Sequence, residues 1–297
     1  MKNLKKFLFI INPISGGVDK DEMIAQIEAF CDAHGIERKL YMTTGKDDRE
    51  IIRKEIAEFD PGLVVAAGGD GTVNLAAELI LNTGKILGIL PTGSGNGLAK
   101  DLKIPQLNVN AALETLLDPN IRRIDTLSAN GKFFMHICDL GFNAHVVKLF
   151  NKTRNRGLLS YIRFSIREFF KYKTFRYQIV TDRTMKKGIA FMITIANSNQ
   201  FGSNLTINPD GEMDDGEFEI IIIKRFPRKQ IFSILFRLMT RKINFSPYTI
   251  VLKARQAVIV TKKSKTLQYD GEILGKIREV EIKIKPQSLQ VAVPKEP

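Results

Sequence analysis

Strand-like and helix-like segments alternate along the first third of the chain, and this alternation constrains the fold more than any other feature. Four strand-like runs, KFLFIIN, RKLYMT, LVVAA and ILGILP, are separated by amphipathic helical segments such as DEMIAQIEAFCDAHG and DDREIIRKEIAEF. Alternating strands and helices, with apolar strands, predict a parallel sheet that helices cover on both faces. Residues 1–125 are therefore predicted to form an α/β domain.

After about residue 120 the pattern changes to short strands joined by turns. The segment IRRIDTLSANGKFFMHICDLG predicts a hairpin that turns at Asn130–Gly131. Further strands are predicted at FRYQIVTD, GIAFMITIAN, GEFEIIIIK, QAVIVTKK, TLQYDGE, REVEIKIKP and LQVAVP. A basic helical stretch from about 142 to 173 and the helix RKQIFSILFRLMTRK interrupt them. Residues 126–285 are therefore predicted to form a second, β-rich and largely antiparallel domain.

The chain is strongly basic, with a formal net charge of +13 and a pI near 9.6. Such a balance favours an anionic partner, which is a nucleotide, a nucleic acid or a membrane surface. Residues 148–187 hold twelve Lys/Arg and two acids, and residues 224–242 hold seven Lys/Arg and no acid. Both stretches also carry phenylalanines and leucines, which is typical of membrane-interfacial segments. Solvated helix faces are an equally good interpretation.

Two features bear on the cellular setting. The cysteines Cys31 and Cys138 have no metal-ligand spacing, so two buried thiols in a reducing cytoplasm are predicted. No stretch approaches the ~20 apolar residues of a membrane span. We therefore expect a cytoplasmic protein that meets a membrane only peripherally.

Three glycine-bearing loops each follow a predicted parallel strand: NPISGG (12–17), GGDGT (68–72) and PTGSGNG (91–97). Because ligands bind at the carboxyl ends of such strands, the loops are expected to converge on one ligand. Glycine lets backbone N–H groups approach phosphate oxygens, and the helix near Thr72 adds its N-terminal dipole. Taken alone, GGDG is also typical of an ordinary turn. The three loops together predict phosphate binding.

A carboxylate in a phosphate turn has a use if the nucleotide arrives with Mg²⁺. Asp70 could hold that ion, directly or through water. Thr72 could bond a phosphate oxygen or cap the helix, and Ser15 and Ser94 are candidate phosphate donors. The chain carries neither a Walker A motif nor a G-x-G-x-x-G fingerprint, so P-loop and Rossmann chemistry are disfavoured.

Acidic groups mark the second half of the chain. The segment NPDGEMDDGEFEI could form a cation site or a solvated acidic turn; its carboxylates are Asp210, Glu212, Asp214, Asp215 and Glu217. The segment YDGEI places Asp270 and Glu272 around a glycine, as a plain hairpin turn would. Asp125 lies near the domain boundary, where it could face a cleft or form a structural salt bridge. His34, His136 and His145 have no ligand or relay spacing.

The segments NPISGG, GGDGTVN, PTGSGNGLAKDL, NSNQFGSNLTINPDGEMDDGEFEI and DGE resemble, in order and rough spacing, the diacylglycerol kinase catalytic family. That family includes soluble bacterial lipid kinases and the sphingosine and ceramide kinases. GGDGT alone is shared with NAD kinases and, loosely, phosphofructokinases, whereas the set of five is more specific. The resemblance implies a nucleotide-binding α/β domain, similar to those of NAD kinases and phosphofructokinases, and a β-rich lipid-substrate domain.

The resemblance also implies roles for particular residues. ATP would be contacted by Asn12, Pro13, Ile14, Ser15, Gly16, Thr43, Gly69, Asp70, Gly71, Thr72, Val73, Asn74 and Ser94. Asp70 would serve the catalytic Mg²⁺ with Asp125 near it, and Glu272 would be the general base. A structural Mg²⁺ would be held by the side chain of Asp215 and the backbone carbonyls of Glu212 and Glu217. The C-terminal segment, about 286–297, would pack back onto the first domain.

The function so implied is an ATP- and Mg²⁺-dependent kinase that phosphorylates a lipid hydroxyl at the membrane surface. Leu75 and Gly97 stand where glycerolipid-specific relatives often carry acidic residues, so both diacylglycerol and a sphingoid base remain open as acceptors. No nucleic-acid partner is expected, and a homodimer is left open. The alternatives are an NAD kinase, or a non-catalytic basic protein that binds lipid or nucleic acid.

Overall fold

The structure is a computed structural model that describes residues 4–16, 18–93, 95–106, 108–150, 158–199, 205–270 and 272–295. In the helix that begins at Leu158, side chains are described from residue 163 onward. The chain divides into two compact units. Unit 1 comprises Met1–Asp125 and Gln287–Pro297, and unit 2 comprises Thr126–Pro286.

The elements follow one another in a β-α pattern first and a β-rich pattern later. The first set is β1 (Lys6–Ile11), α1 (Lys20–Ala33), β2 (Glu37–Met42), α2 (Asp48–Phe59), β3 (Leu63–Gly68), α3 (Asp70–Ile80), β4 (Ile86–Pro91), α4 (Gly97–Asp101), α5 (Val109–Glu114) and β5 (Asn120–Ala129). The second set is β6 (Lys132–Phe134), β7 (Ile137–Gly141), α6 (Phe142–Phe150), α7 (Leu158–Lys171), β8 (Phe175–Thr181), β9 (Met185–Ala196), β10 (Phe218–Lys224), α8 (Ile231–Met239), β11 (Thr249–Ala254), β12 (Gln256–Tyr269) and β13 (Glu272–Val293). Short 3₁₀ turns at Arg228–Gln230 and Ile243–Phe245 flank α8.

The sheet of unit 1 is built from parallel pairs. Strand β1 lies between β2 and β3, and β3 pairs with β4. The last residues of β13 add a further parallel pairing, with Gln290 opposite Ile86. The strands β1 and β3 are apolar and almost wholly buried along their length, as expected for strands covered on both faces. This order places the ends of β1, β3 and β4 side by side.

The strands of unit 2 pair in antiparallel fashion. Strand β7 lies between β9 and β12, β9 also pairs with β8 and β10, and β10 pairs with β11. Successive side chains of a strand point to opposite faces, and β10 shows this clearly. Ile220 and Ile222 pack into one apolar cluster with Ile193 and Ile259, whereas Ile221 packs into a second cluster. The apolar run FEIIIIK is therefore a strand buried on both faces.

The predicted β-rich character of the C-terminal region is confirmed, and so is its first hairpin. Leu127 pairs with Phe134 and Ala129 with Lys132, so the turn falls on Asn130–Gly131. Both turn residues have positive φ, 48° and 78°, which Asn and Gly adopt more easily than other residues. The two cysteines are buried and unpaired, as predicted. In the part of the chain that the structure describes, no helix is long and apolar enough to cross a membrane.

Some element boundaries in the second half were predicted wrongly. QAVIVTKK and TLQYDGE belong largely to one strand, β12, whose register shifts between Val260 and Lys265. REVEIKIKP and all but the last residue of LQVAVP lie in β13, which continues through Pro286. Strand β11 was not predicted. A register shift in a strand and a proline at a strand junction both look like strand ends in a sequence, so the continuity could not be inferred.

Candidate functional site

Three loops of unit 1 leave the sheet side by side. Asn12 N donates a hydrogen bond to Ala67 O at 3.0 Å, and Thr92 N donates to Gly68 O at 3.1 Å. These bonds join the residues that follow β1 and β4 to the end of β3. The loops NPISGG, GGDGT and PTGSGNG therefore share one edge of the sheet, the edge where ligands of parallel sheets bind.

Glycines allow these loops to touch through their backbones. A Cβ atom added to Gly93 would lie 2.3 Å from Gly69 Cα, and one added to Gly16 would lie 1.7 Å from Thr92 O. Gly16 also has a φ of 63°, a conformation that glycine adopts without strain. Because any side chain at Gly16 or Gly93 would push the loops apart, these glycines are required for the loops to converge.

Asp70 joins two of the loops through its carboxylate. It is the first residue of α3, and its Oδ2 accepts a hydrogen bond from Gly97 N at 3.1 Å while Oδ1 accepts from Leu98 N at 3.3 Å. Gly97 and Leu98 open α4, whose N-terminal N–H groups need an acceptor. The carboxylate thus has a structural role in addition to any metal that it binds.

Asn96 fixes the third loop, and sequence reasoning did not single it out. Its Oδ1 accepts from Gly93 N at 3.1 Å, while its Nδ2 donates to Gly93 O at 2.9 Å and to Pro91 O at 3.2 Å. The side chain is buried and replaces the backbone partners that a regular turn would supply. The neighbouring Ser94, a predicted phosphate donor, lies outside the described residues.

The first loop carries a cation that the sequence analysis also missed. Lys20, the first residue of α1, donates from Nζ to Ser15 O at 2.7 Å, and burial lowers the pKa of its ammonium group. Ser15 Oγ lies 3.3 Å from Thr92 Oγ1. Pro13 and Ile14 are exposed at the tip of the same loop. A lysine here supplies the positive charge that GGDGT lacks.

The remaining predicted nucleotide positions lie at the start of α3 and after β2. Thr72, Val73 and Asn74 are buried in the first turn of α3, and Asn74 Oδ1 has no hydrogen-bond partner among the described residues. A Cβ added to Gly71 would meet nothing within 4 Å, so the backbone is open there. Thr43 follows β2 and donates from its backbone N to Ile11 O at 2.8 Å. These roles stay predictions.

The arrangement in unit 1 suits an anion with several oxygens. Glycine backbones, a helix N-terminus and the Lys20 ammonium group all lie at one sheet edge, and each of them attracts phosphate. Asp70 adds a carboxylate, which phosphate would repel unless a cation lies between them. The donor set therefore fits a phosphate that is bound together with a divalent metal.

In unit 2, the DGE turn is held by its aspartate. Asp270 has a φ of 43°, and its carboxylate accepts hydrogen bonds from three consecutive backbone N–H groups. The donors are Met135 N at 2.9 Å, His136 N at 3.2 Å and Ile137 N at 2.9 Å. A carboxylate that accepts several backbone N–H bonds is a strong anchor, so Asp270 fixes the turn that carries Glu272.

Glu272, the predicted general base, opens β13 with an exposed side chain. Tyr269 donates from its hydroxyl to Glu272 Oε2 at 3.3 Å. Gly271 lies outside the described residues. The side chain is thus accessible to a substrate, it stands on a fixed turn, and one of its oxygens already has a donor. Its catalytic role stays a prediction.

The acidic turn of residues 208–220 is balanced by protein cations. Asp215 accepts from Glu217 N at 2.9 Å and lies 3.3 Å from Lys253 Nζ. Glu217 pairs with Arg183, and the hydrogen bond from this guanidinium lowers the pKa of Glu217. Among the described residues no three His, Cys, Asp or Glu side chains are grouped so that they could hold a metal. The predicted site uses the Asp215 side chain with the carbonyls of Glu212 and Glu217, so it stays a prediction.

Asp125 lies in the interior of unit 1. Its side chain is fully buried, and Oδ1 accepts a hydrogen bond from Gln287 N at 2.6 Å. Gln287 is the residue at which the chain re-enters unit 1. This geometry gives Asp125 a structural task, which is to hold the returning segment, and its place beside a catalytic metal stays a prediction.

Comparison with known proteins identifies the family. Residues 6–129 match the diacylglycerol kinase catalytic domain, and residues 137–293, more than half of the chain, match the YegS C-terminal NAD kinase beta sandwich-like domain. The chain belongs to the diacylglycerol kinase catalytic family. The resemblance inferred from the five sequence segments is thereby confirmed, as is the two-domain architecture with a β-rich second domain.

Relatives in this diacylglycerol kinase family are similar over almost their whole length. Diacylglycerol kinases from Bacillus subtilis and Staphylococcus haemolyticus are 26% and 24% identical to this chain, over 92% and 97% of it. The matches cover 91% and 88% of those proteins. A solved structure of a diacylglycerol kinase from Bacillus anthracis matches with a TM-score of 0.74 at 19% identity and 97% coverage of both chains. At this identity the likeness establishes the fold.

A buried carboxylate in the second domain of this family member was not predicted. Asp139 on β7 is fully buried and accepts hydrogen bonds from Thr194 Oγ1 at 2.6 Å, Asn143 Nδ2 at 2.6 Å and Gln268 Nε2 at 2.5 Å. Thr194 and Gln268 stand directly opposite it on β9 and β12. Burial raises the pKa of Asp139 to about 6, although these three hydrogen bonds lower it. The group ties three strands and α6 together.

We expect Asp139 to make stability depend on pH. Its ordinary pKa is 3.8, so between about pH 4 and about pH 6 the folded protein keeps a proton that the unfolded chain has lost. The extra bound proton stabilises the folded protein. This stabilisation is fully present below the pKa that Asp139 has in the unfolded chain, and it is lost as the pH rises through the pKa that Asp139 has in the folded protein. A shift of this size corresponds to roughly 3 kcal/mol.

Urea unfolding of the wild type and Asp139→Asn at a series of pH values measures this effect. The free energy of unfolding of the wild type, minus that of the variant, should fall by roughly 3 kcal/mol between about pH 4 and about pH 7. The other titrating groups are common to both proteins and cancel in this difference. A difference that does not change with pH would mean that Asp139 keeps its ordinary pKa, because its three donors offset the effect of burial.

Proposed function

We propose that this protein is an ATP- and Mg²⁺-dependent lipid kinase that transfers the γ-phosphoryl group to a lipid hydroxyl. Membership of the diacylglycerol kinase family and relatives of that name support a lipid kinase-like function. The observation that carries the proposal is the convergence of three glycine loops, Asp70 and Lys20 at one sheet edge of unit 1. That set of groups suits a nucleotide polyphosphate better than a neutral ligand.

Unit 1 is proposed to bind the nucleotide. The backbones around Gly16, Gly69 and Gly93 and the N-terminus of α3 would take the phosphates, and Lys20 would offset their charge. Asp70, with its carboxylate at the first turn of α3, would hold Mg²⁺. When bound, Mg²⁺ supplies neutralisation of the charge on the transferred phosphoryl group. Asn96 would keep the third loop in its binding conformation.

Unit 2 is proposed to supply the proton acceptor. A lipid hydroxyl is a weak nucleophile that must lose its proton as the phosphoryl group arrives. The exposed carboxylate of Glu272 would accept that proton. Asp270, anchored on the backbone of residues 135–137, would keep the turn rigid so that the base is positioned before the substrate binds.

The acceptor lipid is proposed to be a diacylglycerol or a sphingoid-type base. Leu75 and Gly97 replace the acidic residues that glycerolipid kinases often carry, which weakens a transfer of diacylglycerol specificity from the relatives. Gly97 N donates to Asp70, and α4 begins at this residue. Position 97 therefore lies beside the carboxylate that is proposed to hold Mg²⁺, because its backbone N–H bonds to that carboxylate.

The proposal is tested with the purified protein, labelled ATP and a total lipid extract, with mass-spectrometric identification of the product. A phosphorylated lipid that forms with Mg²⁺ and not after chelation is the expected result. A parallel reaction with NAD in place of lipid tests the alternative that the protein is an NAD kinase. This alternative is considered because the second domain matches an NAD kinase beta sandwich-like domain. Phosphorylation of NAD alone would refute a lipid kinase. No turnover, with no Mg²⁺-dependent stabilisation by ATP, would favour a non-catalytic binding protein.

A further inference from the structure

Helix α8 exposes a stripe of large apolar side chains. Phe232 is 77% exposed, Phe236 65% and Met239 68%, and Leu235 is also exposed. Their spacing of three, four and seven residues places them on one side of the helix. We call this set, Phe232, Leu235, Phe236 and Met239, the outer face of α8. Single exposed apolar residues are ordinary, but a continuous stripe of this kind marks an interaction site.

The opposite side of the same helix is firmly packed. Ile234 and Leu238 are buried in the apolar cluster of unit 2 that also contains Ile207, Ile221 and Ile243. The helix IFSILFRLM is therefore apolar on two sides, although only one side contributes to the fold. An amphipathic helix of a globular domain normally buries its apolar residues and exposes polar ones. The outer face needs a partner that the described residues of the chain do not provide.

Two neighbouring elements extend the apolar surface. Phe245, in the 3₁₀ turn after α8, is 77% exposed. Phe170 near the end of α7 is exposed too, and Arg228 connects it to the start of α8. The Arg228 guanidinium donates to Phe170 O at 2.9 Å and lies 5.7 Å from the centre of the Phe170 ring.

The charges in the chain segment that contains α8 are all of one sign. Residues 224–242 hold seven Lys/Arg and no Asp or Glu. Arg225, Arg228 and Lys229 are exposed before α8, and Arg241 and Lys242 are exposed after it. An apolar stripe with a basic rim is the pattern of helices that lie in the headgroup layer of an anionic membrane.

We propose that the outer face of α8 docks the protein on an anionic lipid surface. The phenylalanines would enter the boundary between headgroups and acyl chains, and the flanking cations would pair with anionic headgroups. A second copy of the chain fits this face poorly, because a two-fold contact would bring two acid-free basic stretches together. A nucleic acid would satisfy the cations but would leave the apolar stripe uncovered.

The reason for this docking rests on the proposed function, since a lipid kinase must reach a substrate that lies in a bilayer. Its test is independent of catalysis. The full chain is cosedimented, without nucleotide, with phosphatidylcholine vesicles that contain or lack phosphatidylglycerol, at low and high salt. The variant is Phe232→Gln with Phe236→Gln, because glutamine removes the apolar surface and keeps a high helix propensity. The matched control is Met42→Gln with Ile51→Gln, two exposed apolar residues of unit 1 that lie outside both basic stretches.

The wild type and the Met42/Ile51 control should bind vesicles that contain phosphatidylglycerol, and binding should weaken at high salt because exposed charges are screened. The Phe232/Phe236 variant should bind at least ~10-fold more weakly, since two aromatic side chains no longer enter the bilayer. Circular dichroism and melting temperature should match the wild type. On a short-chain, water-soluble acceptor lipid, this variant should turn over like the wild type.

Three outcomes would overturn the proposal. The first is a wild type that does not bind the anionic vesicles. The second is a variant that binds them as tightly as the wild type does. The third is a wild-type dimer in light scattering that the variant converts to a monomer while vesicle binding is unchanged, because the face would then join two copies. Each of these leaves the kinase assay unaffected, so failure here is distinguishable from failure of the proposed function.

Discussion

Replacing Asp70 by asparagine is expected to lower turnover by roughly 10³-fold or more, because a metal that neutralises transition-state charge contributes several kcal/mol. The fold should survive the change. Asparagine has one carbonyl oxygen in place of two carboxylate oxygens, so it can keep only one of the bonds from Gly97 N and Leu98 N. We expect that loss to cost about 1 kcal/mol of stability. Kinetics over a Mg²⁺ titration, together with urea unfolding, measure the two effects separately.

A matched control for Asp70 stands in the same unit. Asp48 is the first residue of α2, as Asp70 is of α3, and its carboxylate accepts from Thr44 N at 2.9 Å and Gly45 N at 2.8 Å. Asp48→Asn should therefore lose at least similar stability but keep turnover within ~10-fold of the wild type, since it affects only hydrogen bonds from Tyr41 and from the loop at Thr44 and Gly45. If Asp70→Asn behaves like Asp48→Asn, with unchanged Mg²⁺ dependence, then Asp70 only joins loops and binds no catalytic metal.

The convergence of the three glycine loops could be anticipated from the sequence. Each loop follows a strand-like run in the α/β region, and adjacent strand ends bring their loops together. The sequence pattern could not predict how close the loops lie to one another. That depends on the absence of a Cβ at Gly16 and Gly93, whose neighbours Thr92 and Gly69 lie in other loops. The sequence shows that a glycine is present, and only the fold shows what it touches.

Asp139 is a group that sequence reasoning missed because most of its partners lie far away in the chain. Two of its three donors, Thr194 and Gln268, are 55 and 129 residues away. Nothing near Asp139 in the sequence marks it as buried or bonded. Lys20 is different, because it lies five residues after Ser15 at the start of a predicted helix. Its proximity to the first loop could have been inferred from that position.

An aspartate in a glycine turn can serve catalysis or anchor the turn, and the turns at Asp70 and Asp270 illustrate this. Asp70 was first considered for its charge and Asp270 as part of a plain hairpin turn, and in the structure each accepts backbone N–H bonds from another segment. Such bonds are stronger when the acceptor is a carboxylate, and they hold a turn in one conformation. Anchoring and catalysis are compatible, since a site works only if its groups are fixed beforehand. Mutations must therefore separate the two roles, as the Asp48 control does.

Glu272→Gln is expected to lower kcat by ~10²–10⁴-fold, the typical worth of a general base. Glutamine keeps the size of the side chain and can still accept the hydrogen bond from Tyr269, so the turn should be unchanged. What it loses is the ability to take the proton of the lipid hydroxyl. The KM for ATP should stay near the wild-type value, because the nucleotide is proposed to bind in unit 1. Steady-state kinetics with both substrates varied measure kcat and each KM.

Glu279→Gln is the control for this prediction, because Glu279 is another exposed glutamate of β13. It should leave kcat unchanged, which would exclude a general effect of lost negative charge on this strand. Melting temperatures of both variants should equal that of the wild type, since Asp270 still holds the turn through residues 135–137. If Glu272→Gln raised the KM for ATP and left kcat intact, Glu272 would bind rather than catalyse. The buried Asp125 would then have to become accessible before it could replace Glu272 as the base, and its bond to Gln287 N would have to open.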